Sequence, residues 1–304
     1  MNQNQTQRVS YRGRFAPTPS GPLHMGSLMT ALASFLQARA QGGHWLLRLD
    51  DLDGPRCISG ADSIILKQLE SHGLLWDGTI RYQSQQLEAY EAALQRLQAL
   101  DLVYACSCTR ARLSLSALQG SDGPIYDGHC RDRLLECRSP RSLRLRTEAG
   151  MLAFDDGWRG WQKRRMQEEV GDFILRRADG IFAYQLACAV DEAAQGITEV
   201  VRGSDLLGST FQQIHIQNLL QLPNPRYRHL PVLVDGLGRK LSKQNHARPL
   251  DPSTAGKNLA RCLKWLGQAT PIEIEGDKPE KILEWALMHW EPLKVPQQTT
   301  LSVE

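Results

Sequence analysis

The chain has 304 residues, of which 41% are hydrophobic and 23% are charged, and its formal net charge is +3. This composition is typical of a globular protein and excludes a mostly disordered or collagen-like chain, while the length favours about two domains. No apolar run reaches the roughly 20 residues that span a bilayer, and the polar first residues lack the apolar core of a signal peptide. We therefore expect a cytoplasmic protein without membrane contact, whose seven cysteines bind metal or are buried rather than forming disulfides.

The basic residues are mostly arginines, 27 against 9 lysines. The planar arginine fork suits carboxylates and phosphates better than a lysine ammonium does. Between Arg131 and Arg165, ten basic residues stand against five acidic ones. This local excess fits either an anionic partner or a solvated, self-paired face, and composition alone does not separate the two.

The first hundred residues alternate between strand and helix patterns. A loop with three prolines at 16–22 precedes a helix at 26–40, in which apolar residues recur at helical spacing. A buried strand at 45–49 follows, so this order predicts an α/β unit with a parallel sheet. Further helices are predicted at 59–72 and 85–100, and a strand at 102–105.

The middle third differs in character, because it is rich in Arg, Gly and Cys from Cys106 to Trp161. It is predicted to be an insertion, with a strand at 141–146. The α/β pattern then resumes at 181–190 and 197–202. The remaining predicted elements are a helix at 210–220, a strand at 231–234 and tail helices at 257–266 and 279–289.

Two segments suggest phosphate chemistry. His24 and Gly26 stand at the start of the first predicted helix, where free N–H groups and the helix dipole favour an anion. Lys240 and Lys243 flank Ser242 in a glycine-bounded loop, and such ammonium groups neutralise charge that builds up on a transferring phosphate. Each segment also has an ordinary interpretation, as a capping histidine or a solvated basic loop, so neither predicts function alone.

Together the two segments resemble the signature motifs of class I aminoacyl-tRNA synthetases. The stretches 14–21, 50–53 and 201–207 resemble the glutamyl/glutaminyl branch in order and spacing, and the resemblance runs from about Arg12 to Lys243. It implies an α/β, Rossmann-like catalytic domain with an inserted zinc-bearing subdomain and a short helical C-terminal tail. The implied divisions are 11–104 and 181–245 for the two halves of the catalytic domain, 105–180 for an inserted zinc- and RNA-contacting subdomain, and 246–304 for the tail.

The resemblance also implies a site for glutamate and for ATP with Mg²⁺, in which His24 and Lys243 are catalytic. The implied glutamate-binding residues are Arg14, Phe15, Ala16, Pro17, Thr18, Asp50, Tyr184 and Arg202, and the implied ATP-binding residues are His24, Gly26, Ser27, Lys240 and Lys243. By motif position, Arg14 and Arg202 match arginines that bind the amino acid, and Asp50 matches the acid that holds its α-ammonium. Asp50 departs from the family's usual glutamate by one methylene. Ser27 stands where many class I enzymes have a second histidine.

Cysteines in the predicted insertion have metal-site spacing. Cys106, Cys108 and Cys130 suit tetrahedral Zn²⁺, which needs a fourth ligand. His129 is the chemically obvious candidate, whereas the resemblance points to Tyr126. We favour Tyr126, because His129 and Cys130 are adjacent and the chain would have to bend sharply for both to bind one ion. The other four cysteines, predicted to be buried apolar residues, are Cys57, Cys137, Cys188 and Cys262.

The resemblance implies activation of glutamate by ATP. Because only 61 residues follow Lys243, we expect no large anticodon-binding region, as in the truncated paralogue that transfers glutamate to queuosine in the anticodon loop of tRNA(Asp). The expected partners are glutamate, ATP and tRNA(Asp) bearing queuosine, with a monomeric chain and no protein partner. The alternatives are an ordinary glutamyl-tRNA synthetase that charges a tRNA 3′ end, and a noncatalytic, zinc-stapled RNA-binding module.

Overall fold

The computed structural model describes residues 10–116, 118–120, 123–133, 135, 140–241 and 248–303. Ser242 and Lys243 of the predicted phosphate loop, and Cys137, lie outside the described residues. None of the helices in the described ranges is long and apolar enough to cross a membrane.

Strands and helices alternate in both halves of the chain. The strands are β1 (Arg12–Phe15), β2 (His44–Leu49), β3 (Arg81–Tyr82), β4 (Val103–Cys106), β5 (Leu118–Gly120), β6 (Gly123–Ile125), β7 (Ser142–Leu145), β8 (Met151–Asp156), β9 (Gly160–Arg165), β10 (Phe173–Arg176), β11 (Glu199–Gly203), β12 (Arg226–Leu230), β13 (Val232–Val234) and β14 (Thr300–Ser302). The α-helices are α1 (Met25–Ala40), α2 (Ala61–Ser71), α3 (Leu87–Ala99), α4 (Arg110–Ser116), α5 (Tyr184–Ala194), α6 (Leu207–Leu219), α7 (Ala255–Trp265) and α8 (Pro279–Met288). Each element predicted in the first hundred residues lies within two residues of its predicted bounds.

Parallel strands form the centre of the fold, as the α/β prediction requires. β1 pairs with β2 and β2 with β3, while β11 pairs with β12, all in parallel. The amide of Thr198 donates to the carbonyl of Arg12 at 2.9 Å, which brings the start of β11 alongside β1. The carboxyl ends of β1 and β11 therefore open on one edge, where ligands bind in parallel α/β sheets.

Helix α1 anchors the core. Leu28, Leu32 and Leu36 recur every four residues and are fully buried, and burial of each side chain contributes about 1.5–3 kcal/mol. The helix packs against β1 and β11, and α7 and α8 also pack against it. The N-terminus of α1 is thereby held at the edge where β1 ends.

The strands of the predicted insertion belong to two different sheets. β7 pairs antiparallel with β4 and β10, whereas the β8–β9 hairpin extends the β11–β12 sheet through Tyr227 and Asp156. The proposed division at 105 and 180 therefore separates strands that pair with each other, and it stays a prediction.

Several strands are missed by the sequence analysis, and β12 and β14 are two of them. β12 carries Arg226, Arg228 and His229, which reads as polar loop, yet β12 lies between β11 and β8 and its basic side chains find acidic partners such as Glu199. β14 pairs in parallel with β13. The tail is therefore not only helical, because its last residues return to the sheet region.

Candidate active site

The predicted glutamate and ATP residues meet in one cavity of about 730 Å³ at the carboxyl ends of β1 and β11. The predicted residues in its wall are Arg14, Phe15, Ala16, Pro17, Thr18, His24, Gly26, Ser27, Tyr184, Arg202 and Lys240. Asp50 does not line the cavity, and Lys243 lies outside the described residues.

His24 caps helix α1. Its Nδ1 accepts hydrogen bonds from the amides of Gly26 at 3.1 Å and Ser27 at 3.3 Å. The neutral ring therefore carries its proton on Nε2, the nitrogen able to donate to a ligand oxygen. A Cβ on residue 26 would come within 3.1 Å of the imidazole, so the glycine allows this cap to form.

Of the two lysines in the glycine-bounded loop, Lys240 lies within the described residues. Its Nζ lies 2.5 Å from an oxygen of Asp205, and both residues line the cavity. This ion pair holds the loop close to the turn that follows β11. An incoming polyphosphate would compete with Asp205 for the ammonium group.

Arg14 lies at the end of β1 and is 3% exposed. Its Nε lies 3.0 Å from Oε1 and 3.1 Å from Oε2 of Glu192, a buried residue of α5. Nη1 of Arg48 approaches the same carboxylate at 3.3 Å. Burial would raise the pKa of Glu192, but Arg14 and Arg48 outweigh it and hold that pKa below its ordinary value. Glu192 is therefore a carboxylate that compensates two buried arginines.

Asp50 is turned away from the cavity toward the charged cluster behind it. Nε of Arg48 donates to Asp50 Oδ1 at 2.7 Å, and Nη2 of Arg48 lies 3.4 Å from Oδ2. Burial raises the pKa of Asp50 and Arg48 opposes that rise. This carboxylate is therefore bound to Arg48 rather than presented to the cavity.

Arg202 at the end of β11 is also 3% exposed, but its direct partners are neutral. Nε donates to Nε2 of His229 at 3.2 Å and Nη2 donates to the Thr210 hydroxyl at 2.7 Å. Nη1 lies 3.4 Å from the hydroxyl of Tyr184. Among the described residues no carboxylate lies within ion-pair distance of Arg202, so no direct ion pair neutralises this guanidinium.

Several residues of this site are missed by sequence reasoning. A usable signal exists for Arg48, a charge inside an otherwise apolar buried strand, and for Glu192, which follows Tyr184 by two helical turns on α5. His229 and Asp156 carry no such signal, since they meet only because β8 and β12 lie side by side.

A second cluster lies where β4 ends. The sulfur atoms of Cys106, Cys108 and Cys130 lie within 4.8 Å of one another. The Tyr126 hydroxyl lies 3.4 Å from the sulfurs of Cys106 and Cys108, whereas His129 is exposed. The structure thus brings together the three thiols and the phenol, and it leaves His129 outside the cluster.

The remaining described cysteines differ from the prediction in two cases. Cys262 is buried, as predicted. Cys57 is only half-buried, because it lies in the exposed turn after Asp53. Cys188 is buried but not in apolar surroundings, since its sulfur lies 3.4 Å from Nη2 of Arg48. Cys188 therefore belongs to the charged cluster behind the cavity.

The basic run between Arg131 and Arg165 is partly self-paired. Arg131 contacts Asp172 at 2.6 Å and Arg165 contacts Glu168 at 2.9 Å. Trp161 of β9 is 75% exposed. Arg131 and Arg165 therefore fit the self-paired interpretation of the run.

Comparison with known proteins gives consistent results. Residues 10–255 match the family described as tRNA synthetases class I (E and Q), catalytic domain. The glutamyl-Q tRNA(Asp) synthetase of Thiobacillus denitrificans is 48% identical over 290 residues, 95% of this chain and 96% of the relative. That of Dechloromonas aromatica is 47% identical over 293 residues, 96% of this chain and 97% of the relative.

The fold is similar to that of a solved synthetase. The crystal structure of the glutamate-tRNA synthetase from Elizabethkingia anophelis superposes with a TM-score of 0.78 at 22% identity. The match covers 97% of this chain and 68% of that chain. At this identity the likeness supports the fold alone.

Proposed function

The chain belongs to the class I tRNA synthetases for glutamate and glutamine and, within them, to the glutamyl-Q tRNA(Asp) synthetases, and on this premise we propose how its cavity works. The chain activates glutamate with ATP and transfers the glutamyl group to the queuosine of tRNA(Asp). The observation that carries the proposal is the cavity itself, in which two buried arginines adjoin the capped start of α1.

Arg202 is assigned to the side-chain carboxylate of glutamate together with Arg14. Arg202 is a buried cation with neutral direct partners, so a carboxylate gains more from it than from an arginine already neutralised. The charge of Arg14 is balanced by Glu192, so Arg14 contributes mainly the directed hydrogen bonds of its guanidinium. The Tyr184 hydroxyl, next to Arg202, completes the polar wall.

Asp50 is assigned to the α-ammonium group. Because Asp50 is bound by Arg48 and does not line the cavity, its contact with the ammonium group is assigned to a bridging water. Phe15, Ala16, Pro17 and Thr18 form the wall that the rest of the amino acid contacts.

The reaction is an in-line attack of the α-carboxylate of glutamate on the α-phosphorus of ATP, which forms glutamyl-adenylate and releases pyrophosphate. It needs positioning and charge neutralisation rather than a side-chain nucleophile. Nε2–H of His24 donates to a phosphate oxygen, Gly26 and Ser27 border the nucleotide, and Lys240 and Lys243 follow the leaving pyrophosphate. Mg²⁺ accompanies ATP and neutralises phosphate charge.

The first expected result is glutamate-dependent pyrophosphate exchange in the absence of tRNA, because the residues assigned to glutamate and ATP lie in one cavity. The measurement is the incorporation of labelled pyrophosphate into ATP with glutamate, glutamine or aspartate. Exchange should appear with glutamate and stay at background with glutamine, which lacks the charge that Arg202 attracts. Equal exchange with glutamine would contradict the role of Arg202.

The two alternatives fit the observations less well. An ordinary glutamyl-tRNA synthetase agrees with the family match, which does not separate the two activities, whereas the relatives named for tRNA(Asp) are 47–48% identical over nearly the whole chain. A noncatalytic RNA-binding module has no need for Arg14, His24 and Arg202 in one cavity.

We assign the cysteine cluster to a structural Zn²⁺ held by Cys106, Cys108, Cys130 and Tyr126. Tetrahedral zinc with Zn–S of about 2.3 Å separates ligand sulfurs by about 3.8 Å, and a zinc-bound oxygen lies about 3.5 Å from each sulfur. The sulfurs of Cys108 and Cys130 are 3.6 Å apart, and the Tyr126 oxygen lies 3.4 Å from two sulfurs. These distances fit the ion.

Two arginines lie close to the proposed ligands. Nη1 of Arg112 lies 3.4 Å from the sulfur of Cys108, and the guanidinium of Arg144 lies 3.8 Å from the centre of the Tyr126 ring. Burial raises the pKa of the Cys108 thiol and of the Tyr126 phenol, so these groups need the charge of a bound ion to become anionic ligands. When bound, zinc ties the residues after β4 to the segment around Cys130, which belongs to the proposed RNA-contacting subdomain.

The second expected result concerns this metal. Purified protein should contain about one zinc per chain, and changing Cys106 or Cys130 to serine should remove it. Tyr126→Phe removes the phenol oxygen and should weaken zinc retention against a chelator, while His129→Ala should leave it unchanged. Loss of zinc from the His129 variant with full retention in the Tyr126 variant would reverse the ligand assignment.

The remaining parts of the proposal concern location and assembly. A cytoplasmic location places the protein with its tRNA substrate and with the reduced thiols that a zinc site needs. We also propose that the protein acts as a monomer.

A further inference from the structure

A buried row of three side chains runs behind the glutamate cavity. Asp156 ends β8, His229 lies on β12 and Arg202 lies on β11. Oδ2 of Asp156 lies 2.5 Å from Nδ1 of His229, and Nε2 of the same imidazole lies 3.2 Å from Nε of Arg202. Asp156 and His229 are at most 1% exposed, and neither lines the cavity.

The direction of each hydrogen bond follows from the arginine. Nε of Arg202 is always a donor, so Nε2 of His229 is the acceptor and the imidazole proton is on Nδ1, where it is donated to Asp156. Burial lowers the pKa of His229 to about 4 despite the neighbouring Asp156, and the charge of Arg202 acts in the same direction. The ring is therefore neutral at neutral pH, and Asp156 fixes its tautomer.

Arg202 is held at several of its nitrogen atoms. Nε is bound by His229, and Nη2 is bound by the Thr210 hydroxyl at 2.7 Å and lies 3.4 Å from the carbonyl of Leu206. Nη1 lies beside Tyr184, a residue of the cavity wall. The contacts at Nε and Nη2 fix the guanidinium plane on the side away from the cavity, so Nη1 faces the ligand.

We propose that Asp156 and His229 are positioning residues for glutamate recognition, which hold the Arg202 guanidinium in the orientation that receives the substrate carboxylate. This inference rests on the proposed function, because Arg202 is taken there as a glutamate ligand. A neutral imidazole suits this role better than a second carboxylate, because it fixes Nε of Arg202 without neutralising its charge. Asp156 supplies the negative charge one side chain further away.

His229 is the better residue to change. Oδ1 of Asp156 also accepts hydrogen bonds from the amides of Trp158 and Arg159, so a variant of Asp156 would disturb the β8–β9 turn as well. Asparagine at position 229 keeps a polar group near Asp156 but does not reach Nε of Arg202. Glutamine places its amide oxygen near the position of Nε2 and can restore the acceptor.

The test compares His229→Asn and His229→Gln in glutamate-dependent pyrophosphate exchange, with KM measured separately for glutamate and ATP. An unpaired buried donor costs about 1–3 kcal/mol, so H229N should raise KM for glutamate about 5- to 100-fold and change KM for ATP less than twofold. H229Q should recover most of this loss. Tyr227→Phe is the matched control, because its buried hydroxyl has no hydrogen-bond partner among the described residues, and both KM values should stay at wild type.

Two results would overturn the inference in a folded H229N protein: an unchanged KM for glutamate, or equal rises in KM for glutamate and ATP. If H229N does not fold, H229Q decides, since wild-type KM for glutamate supports the inference and a rise as large as that expected for H229N contradicts it. Wild-type protein without glutamate-dependent exchange would instead overturn the proposed function, and the inference with it.

Discussion

Replacing Arg202 with glutamine should lower kcat/KM for glutamate in pyrophosphate exchange by about 100- to 1,000-fold. The buried guanidinium offers charged hydrogen bonds to the substrate carboxylate, each worth about 1.5–3 kcal/mol, and the neutral amide retains little of this. KM for ATP should change less than twofold, because Arg202 lies on β11, whereas His24 and Gly26 lie at the start of α1.

Arg12→Gln is the matched control for this variant. Arg12 belongs to β1 and is exposed, and its Nη1 contacts only the backbone carbonyl of Gln195 among the hydrogen bonds found in the described residues. Its kinetic constants should stay close to wild type. A loss below tenfold in Arg202→Gln, or an equal loss for ATP, would contradict the assignment of Arg202 to glutamate.

Replacing Glu192 with glutamine should have the largest effect on stability. Glu192 is 1% exposed and compensates Arg14 and Arg48, and removal of one partner from a buried ion pair costs about 3–5 kcal/mol. The free energy of unfolding from urea titration at pH 7 should fall by that amount. Glutamine has nearly the same shape as glutamate, so the loss of stability measures the effect of the charge and not that of an empty space in the core.

The same residue predicts a pH dependence. The pKa of Glu192 in the folded protein lies below 4.5, its ordinary value, because Arg14 and Arg48 outweigh burial. Its stabilising contribution is therefore complete well above pH 4.5 and is lost as the pH falls through the folded pKa. Glu192→Gln and wild type should differ most near neutral pH and converge in acid. If the difference in unfolding free energy stayed constant from neutral to acid pH, the stability loss would come from packing and not from the charge of Glu192.

Much of the cavity is predictable because its residues lie in short local motifs. The step from His24 to Gly26 lies at the start of α1 and Lys240 follows β13, and the sequence pattern predicts both elements. The residues from Arg14 to Thr18 lead into the predicted proline-containing loop before α1. The three cysteines and Tyr126 are found in the same way, from spacing and resemblance. Their roles as ligands remain predictions.

The groups behind the cavity are not predictable in this way. Glu192 meets Arg14 across 178 residues of sequence, and His229 meets Asp156 across 73. Such pairs depend on which strands lie side by side, and β12 itself reads as a polar loop because its charged side chains find partners only in the folded sheet. The local sequence therefore does not show which distant residues these side chains contact.

The orientation of Asp50 is a further example. Motif position assigns it to the ligand, but the fold places Arg48 within 2.7 Å and leaves the carboxylate outside the cavity wall. The sequence shows that this side chain is one methylene shorter than the usual glutamate, but it does not show where the carboxylate turns.

The most direct test of the account is the location of transferred glutamate. The protein is incubated with labelled glutamate, ATP and one of three RNAs: tRNA(Asp) bearing queuosine, tRNA(Asp) with unmodified guanosine at that position, or tRNA(Glu). Nuclease digestion then maps the label. We expect label only in the anticodon-loop fragment of the queuosine-bearing tRNA(Asp), released by mild alkali as expected for an ester. Label on the terminal adenosine of tRNA(Glu) would contradict it.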